Sequence, residues 1–281
     1  MMNDEFFRKP IIFALMKTIL KLSVCFLFFG RAYQHLFADA PYRVLVWDEN
    51  LLQCVTHFFD IKWNTYTFYV NLFVIWLQKI VGIFFLISGI VIIFAEKMPR
   101  STRIVCQIAA GWLFLLAFLY QKDHFYQLGQ LLEYTLQIVT PIIFIQMMEN
   151  RISNTFVNIA ITLAFSCHGL YAIGYYPVPV TFIEMTLNVF NCTETNAKIF
   201  LKIMGILDFI ASIFLFFPKT RRVGFIYCVI WGFLTTVARP YAYVQWDLGM
   251  MKFLYWMSEA MIRVPHFGVP LNQFLKNEKQ F

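Results

Sequence analysis

Apolar residues are gathered into eight long runs along the chain, at residues 11–37, 71–94, 104–120, 125–147, 156–175, 199–217, 223–241 and 248–267. A helix crosses a bilayer with about 20 predominantly apolar residues, so the pattern predicts eight transmembrane helices. The third, sixth and seventh runs are near the short limit, and the first is long enough to tilt. The eighth is interrupted by Lys252, Glu259, Arg263 and His266.

The polar segments between the runs are of two kinds. Those after the second, fourth and sixth runs contain Lys97, Arg100, Arg103, Arg151, Lys219, Arg221 and Arg222; with Arg8, Lys9, Lys276 and Lys279 they collect eleven basic residues. The other segments set Arg43, Lys62, Lys122 and Lys198 among Asp39, Asp48, Glu49, Asp60, Asp123, Glu184, Glu194 and Asp247. Basic residues mark the cytoplasmic side. Both termini are therefore expected in the cytoplasm, of a bacterial inner membrane, and eight crossings fit where seven do not. The segments after the first and fifth runs alternate apolar and polar residues, around 44–52 and 181–190, which predicts amphipathic outer-face helices. Arg8-Lys9 followed by an apolar run and Ala38-Asp39-Ala40 imitates a cleaved signal peptide. That run is too long and is broken by Lys17, Lys21 and Arg31, so it is read as a true first helix. Asn191-Cys192-Thr193 is a glycosylation sequon that matters only in a eukaryotic secretory membrane.

Composition narrows the class further. Hydrophobic residues make up 60% of the 281 and charged ones 14%, against about 25% charged in a soluble domain; mean hydropathy is +0.63. A soluble enzyme, a disordered chain and a disulfide scaffold are all excluded. The net charge of +7 reports orientation in the bilayer and points to no nucleic acid.

The chain also repeats itself. Lys79-Ile80-Val81-Gly82-Ile83 returns as Lys202-Ile203-Met204-Gly205-Ile206, Trp112 has a counterpart in Trp231, and Leu128-Gly129 in Leu248-Gly249. The order is the same in both halves. Four runs per half give both halves one orientation, so the expected fold is all-α and polytopic, two parallel four-helix repeats at 1–150 and 151–281. The segment from Phe165 to Pro179, with its His168-Gly169 pair, resembles the first-helix signature of DoxX-like membrane proteins; Gly30-Arg31-Ala32-Tyr33-Gln34-His35 is a degenerate version. The resemblance implies two tandem DoxX-like four-helix units and a link to quinone chemistry through the family's thiosulfate:quinone oxidoreductase namesake. It implies no catalytic residue.

Metal-binding Cys and His spacings, phosphate-cradling glycine loops, haem attachment motifs and nucleophile elbows are all missing from the sequence. Charge inside the membrane is the remaining signal, and by default it is a functional one. Arg31, His35, Lys79, Glu133, His168, Lys202 and Arg239 are expected to line a polar, outward-facing pocket, with Asp208 nearby and Arg239, beside Pro240, as the strongest candidate. Glu259, Arg263 and His266 form one helical stripe in which Glu259 and Arg263 can neutralise each other. Lys79 and Lys202 could instead snorkel to the interface. Cys54 and Cys192 are the two cysteines placed in outer loops, where a disulfide could form. Three functions stay open: a transport-like module binding a small polar, anionic or amphipathic molecule, a quinone-linked oxidoreductase subunit, and a scaffold for a membrane protein partner. Quinone is the cofactor the reading admits, and haem is disfavoured because no histidines pair on facing helices.

Overall fold

A computed structural model describes residues 2–244 and 250–277, with side chains from Pro10 onward. The sequence readings that rest on Asp247, Leu248-Gly249 and Lys279, and on the side chains of Arg8 and Lys9, fall outside the described residues. Those residues form thirteen helical segments and no strand: α1 (Met2–Phe37), α2 (Arg43–Val46), α3 (Glu49–Phe58), α4 (Trp63–Ile93), α5 (Pro99–Asp123), α6 (Leu128–Glu133), α7 (Thr135–Met148), α8 (Asn154–Ile173), α9 (Val180–Phe190), α10 (Glu194–Phe214), α11 (Arg221–Tyr243), α12 (Met250–Met261) and α13 (Pro265–Asn277).

Six helices among the described residues are long and apolar enough to cross a membrane: Pro10–Phe37, Trp63–Ile93, Pro99–Asp123, Leu128–Met148, Asn154–Ile173 and Arg221–Tyr243. The protein is an all-helical integral membrane protein. The sixth and eighth apolar runs are not among these six, for different reasons. α10 has the length, but carries Glu194, Lys198, Lys202 and Asp208. The eighth run is a broken helix, and it extends beyond residue 267 as α13. Pro265 has no amide to offer the Met261 carbonyl, which instead accepts from Val264 N–H at 3.2 Å in a tighter turn.

The caps follow from local sequence. Asp48 accepts from Leu51 N–H at the start of α3, and Ser153 from Phe156 N–H at the start of α8. Gly174 ends α8 at φ 88°, a conformation that favours glycine. The two amphipathic segments are indeed helical, but differ in use. α9 packs against α10 and α11, burying Phe182 and Met185. α3 leaves Leu51, Val55 and Phe58 exposed.

Contacts sort the connecting segments into two ends of the bundle. At one end Lys21 pairs with Glu96 at 2.8 Å, Arg103 with Glu149 at 3.4 Å, and Asn272 donates to the Met16 carbonyl at 2.7 Å. Lys276 Nζ donates there to the Ile152 carbonyl at 3.0 Å. At the other end Lys122 pairs with Asp48, and Tyr243 OH donates to Glu184 at 3.2 Å. The hydrogen bond from Lys21 holds the Glu96 carboxyl below the ordinary carboxylate range, and that from Lys122 does the same for Asp48.

The main core joins both halves, with Leu27 and Phe28 of α1, Phe144 of α7, Ile161 of α8 and Phe225 of α11 all buried in one cluster. α1 pairs most extensively with α4, and α8 with α10. The second pairing depends on missing side chains: a Cβ on Gly169 would stand 2.9 Å from the Gly205 carbonyl oxygen, and one on Gly205 equally close to that of Gly169. Small residues of this kind let membrane helices approach closely. Outward, the bundle presents Phe73, Trp76, Ile80, Ile203, Ile230 and many like them to lipid.

Candidate functional site

The interior charges divide into a sealed set and an open one. Arg31 of α1 is only 1% exposed. Its Nη1 donates to Gln34 Oε1 at 2.9 Å and its Nη2 to Gln137 Oε1 at 2.6 Å, while the guanidinium lies 5.8 Å and 5.6 Å from the rings of Tyr120 and Tyr134. Gln34 in turn donates to Glu259 Oε1, and Glu259 Oε2 accepts from Arg263 Nη1 at 2.7 Å. Arg31 therefore belongs to a chain of polar groups that links α1, α7 and α12.

His35 completes this half. A carbonyl can only accept, so Nδ1–H donates to the Arg31 carbonyl at 2.7 Å, leaving Nε2 to accept from Tyr42 OH at 2.9 Å. Tyr42 oxygen then accepts from Trp112 Nε1–H at 2.7 Å. Every polar atom of the Trp112–Tyr42–His35 series has a partner, and the three side chains fill the space between α1 and α5.

The second half has the same kinds of residue and a different outcome. His168 Nδ1–H donates to Asp208 Oδ2 at 2.9 Å, and Tyr227 OH donates to Asp208 Oδ1 at 2.9 Å. Asp208 is completely buried, and both of its oxygens are satisfied. Trp231, at 6.5 Å edge-on to the His168 ring, has its indole N–H buried with no partner among the described residues. Phe182 packs on the His168 ring, with centroids 4.8 Å apart, and has no hydrogen bond to give it. A cavity of about 620 Å³ lies between α9, α10 and α11, lined by apolar side chains such as Phe182, Phe200, Leu201 and Leu234, with His168 and Trp231 in its wall. Small-molecule sites commonly enclose about 300–1,000 Å³. Ile230, Phe233, Leu234, Val237 and Tyr241 of the same wall are exposed on the lipid side.

A second chamber of about 30 Å³, water-sized, is lined by Glu133, His168, Trp231, Thr235 and His266. It shares His168, Trp231 and Thr235 with the larger cavity. His266 Nδ1–H donates to the Arg263 carbonyl at 3.2 Å, and Gly232 admits the His266 backbone, since a Cβ there would meet its carbonyl oxygen at 2.6 Å. Arg239 is 6% exposed; its Nε is buried without a partner, and it feels the charges of Arg263, Glu259 and Glu133.

The expected pocket residues are thus not gathered in one place. His168 and Glu133 line a chamber, Asp208 stands directly behind His168, and Arg239 lies in the same electrostatic field. Arg31 and His35 are locked into the sealed half. Lys79 and Lys202 are exposed on the outer faces of α4 and α10, with Lys79 Nζ 5.4 Å from the Trp76 ring centre; neither lines the two chambers beside His168. The Glu259–Arg263 pair forms. All six cysteines are free thiols, so Cys54 and Cys192 are not bridged; Cys192 Sγ instead approaches the Thr186 carbonyl at 3.9 Å. No group of three His, Cys, Asp or Glu side chains arranged to hold a metal occurs among the described residues.

Sequence reasoning missed Gln34, Gln137, Tyr42 and Tyr227. Neutral polar residues raise no alarm in a hydropathy profile, and only their partners reveal what they do. No known protein family, curated protein or solved structure matches the chain.

Proposed function

We propose that the chain is an integral membrane protein of two tandem DoxX-like units, the second of which binds an amphipathic molecule that enters from the bilayer. The observation that carries this reading is the apolar cavity of about 620 Å³ whose wall includes Trp231 and His168, the latter backed by the buried Asp208.

The helix pairings support a tandem arrangement. α1 packs on α4 and also on α12 and α13; α8 packs on α10 and also on α6 and α7. That reciprocity is what a two-fold relation between 1–150 and 151–281 requires. Eight crossings also become acceptable once the charges are followed. α10 spans about 31 Å at 1.5 Å per residue, its Lys198 pairs with Glu194 at the helix start, Lys202 is free to snorkel, and Asp208 is satisfied. α12 and α13 together supply the eighth crossing, and the break between them is flanked by the buried Ile262 and Pro265. The basic residues gathered at one end favour cytoplasmic termini in a bacterial inner membrane.

The test is retention. Protein purified in mild detergent should carry a co-extracted amphiphile detectable by mass spectrometry, and Leu234→Trp, which fills the cavity, should release it without unfolding the bundle. If wild type and variant retain the same molecules, the cavity is not the binding site.

One observation favours the quinone-linked alternative. His168 backed by Asp208 can hold a proton at Nε2, the atom left free to face a quinone oxygen. The chain would then supply binding and a proton, with electrons coming from a partner subunit. Ultraviolet absorbance of the extract that changes on borohydride reduction would support this version.

A further inference from the structure

We infer that a groove between α5 and α7 holds an anionic glycerophospholipid of the leaflet at the basic end of the bundle. Its phosphate lies beside Arg100 and Arg103, and one acyl chain follows the groove. The site shares no residue with the two chambers beside His168, so it is independent of what they bind.

The two helices run antiparallel. Arg103 near the start of α5 meets Glu149 at the end of α7, and Tyr120 near the end of α5 stacks on Tyr134 just before α7. On α5 the groove is lined by Arg103, Gln107, Ala110 and Phe114, spaced i, i+4, i+7 and i+11 along one helical face. Ile145, Ile142 and Ile138 answer them on α7. Two adjoining spaces of about 400 and 320 Å³ make up the groove, and they share Arg103 and Ile145. From Arg103 to Phe114 the rise is about 16 Å at 1.5 Å per residue, roughly half of a hydrocarbon core about 30 Å thick. That is the depth of one leaflet. Gly111 keeps the groove open, since a Cβ there would meet nothing within 4 Å, and Phe114 is exposed on the lipid side.

Charge at the mouth selects the head. Arg100, Arg103 and Glu149 line it. Glu149 is divided between Arg103 at 3.4 Å and Arg151 at 3.9 Å. Glu96, the other carboxylate described at this end, is held by Lys17 and Lys21. Three guanidiniums therefore face one carboxylate. α5 adds to the excess: its first turn has no acidic residue and Met98 gives it no side-chain cap, so the amides and positive dipole of the helix start stand beside the mouth. A head with a net negative charge is attracted to this set. A zwitterionic head brings its own cation among the guanidiniums. Gln107, exposed one turn further in, offers an amide where the glycerol esters follow the phosphate.

Three probes decide the matter: phosphatidylglycerol, phosphatidylethanolamine with the same acyl chains, and glycerol phosphate. Each is titrated into the delipidated full chain in detergent and followed by native mass spectrometry. Phosphatidylglycerol should bind most tightly. Replacing both cations, Arg100→Gln with Arg103→Gln, should weaken it about thirtyfold and change phosphatidylethanolamine little. Gly111→Leu fills the groove without a clash and should weaken both lipids. Both arginines are exposed, so the unfolding temperature should hold in the double variant. Equal affinity for the two lipids, or no loss in the double variant, would overturn the anionic head. Undiminished lipid binding by Gly111→Leu would overturn the placement in the groove. Glycerol phosphate binding as tightly as phosphatidylglycerol would make this a site for a free anion, and binding of none of the three would remove the site altogether.

Discussion

In each half of the chain a histidine, a tryptophan and a tyrosine lie close together, and their hydrogen bonds come out differently. In the first, Tyr42 sits between His35 and Trp112 and gives each a partner. In the second, Tyr227 donates to Asp208, Trp231 keeps an unpartnered N–H, and His168 borders a cavity. The same residue types therefore close every hydrogen bond in one set and leave an indole N–H unserved in the other.

The comparison breaks most visibly at the arginines. Arg31→Leu removes a guanidinium that satisfies Gln34 and Gln137, and it leaves Glu259 with one cation fewer. The expected loss is about 3–5 kcal/mol, as for one partner of a buried ionic network, read from unfolding in detergent. Arg31 and Arg239 each keep a buried Nε without a partner, but Arg31 also serves two glutamines through Nη1 and Nη2, so Arg239→Leu should cost clearly less in the same assay. Similar losses would mean that Arg239 is as firmly bound into the fold as Arg31.

Tyr42→Phe should be next in size. It strands His35 Nε2 and Trp112 Nε1–H together, which costs about 1–3 kcal/mol, and amphiphile retention should not change. A retention defect in this variant would show that the sealed half takes part in binding.

The tryptophans sharpen the contrast further. Trp112→Phe gives up a hydrogen bond of 2.7 Å and should destabilise by about 1 kcal/mol. Trp231→Phe deletes an N–H that has no partner, so stability should stay within about 0.5 kcal/mol. Calorimetry on the two variants separates the outcomes.

The smallest effect lies outside both sites. Lys21 holds the Glu96 carboxyl below its ordinary value. A depressed carboxylate contributes stability above its unfolded pKa and loses that contribution as pH falls through the folded one. Glu96 is substantially exposed, so Glu96→Gln should cost about 0.2–1 kcal/mol at neutral pH, less at high salt, and nothing once the pH is below the folded value. A pH-independent cost would assign the effect to packing.

Much of the fold was legible in the residues. α1, α4, α5, α8 and α11 lie where the apolar runs predict them, and α9 where alternation predicts an amphipathic helix. The breaks were not legible as breaks. Pro265 suggests one only when its position inside a buried helix is known, and nothing in the run 125–147 announces the separation of α6 from α7 at Tyr134. For the site, His168, Asp208, Glu133 and Arg239 stood out by charge. Their grouping did not, and Lys79 and Lys202, marked by the same rule, face outward.

By itself the sequence determined that this is a helical membrane protein, which residues lie at membrane depth, and which connecting segments share an end. Those properties depend on composition along one dimension: enough apolar length to cover a helix in hydrocarbon, and basic residues where the chain leaves it. Only the tertiary structure decided that His35 is sealed and His168 borders a cavity. That outcome depends on which helices are neighbours and on how each is rotated about its axis, because a hydrogen bond forms only within about 3 Å. Two histidines in runs of similar hydropathy therefore end in different surroundings, one hydrogen-bonded at both ring nitrogens and one in the wall of a cavity.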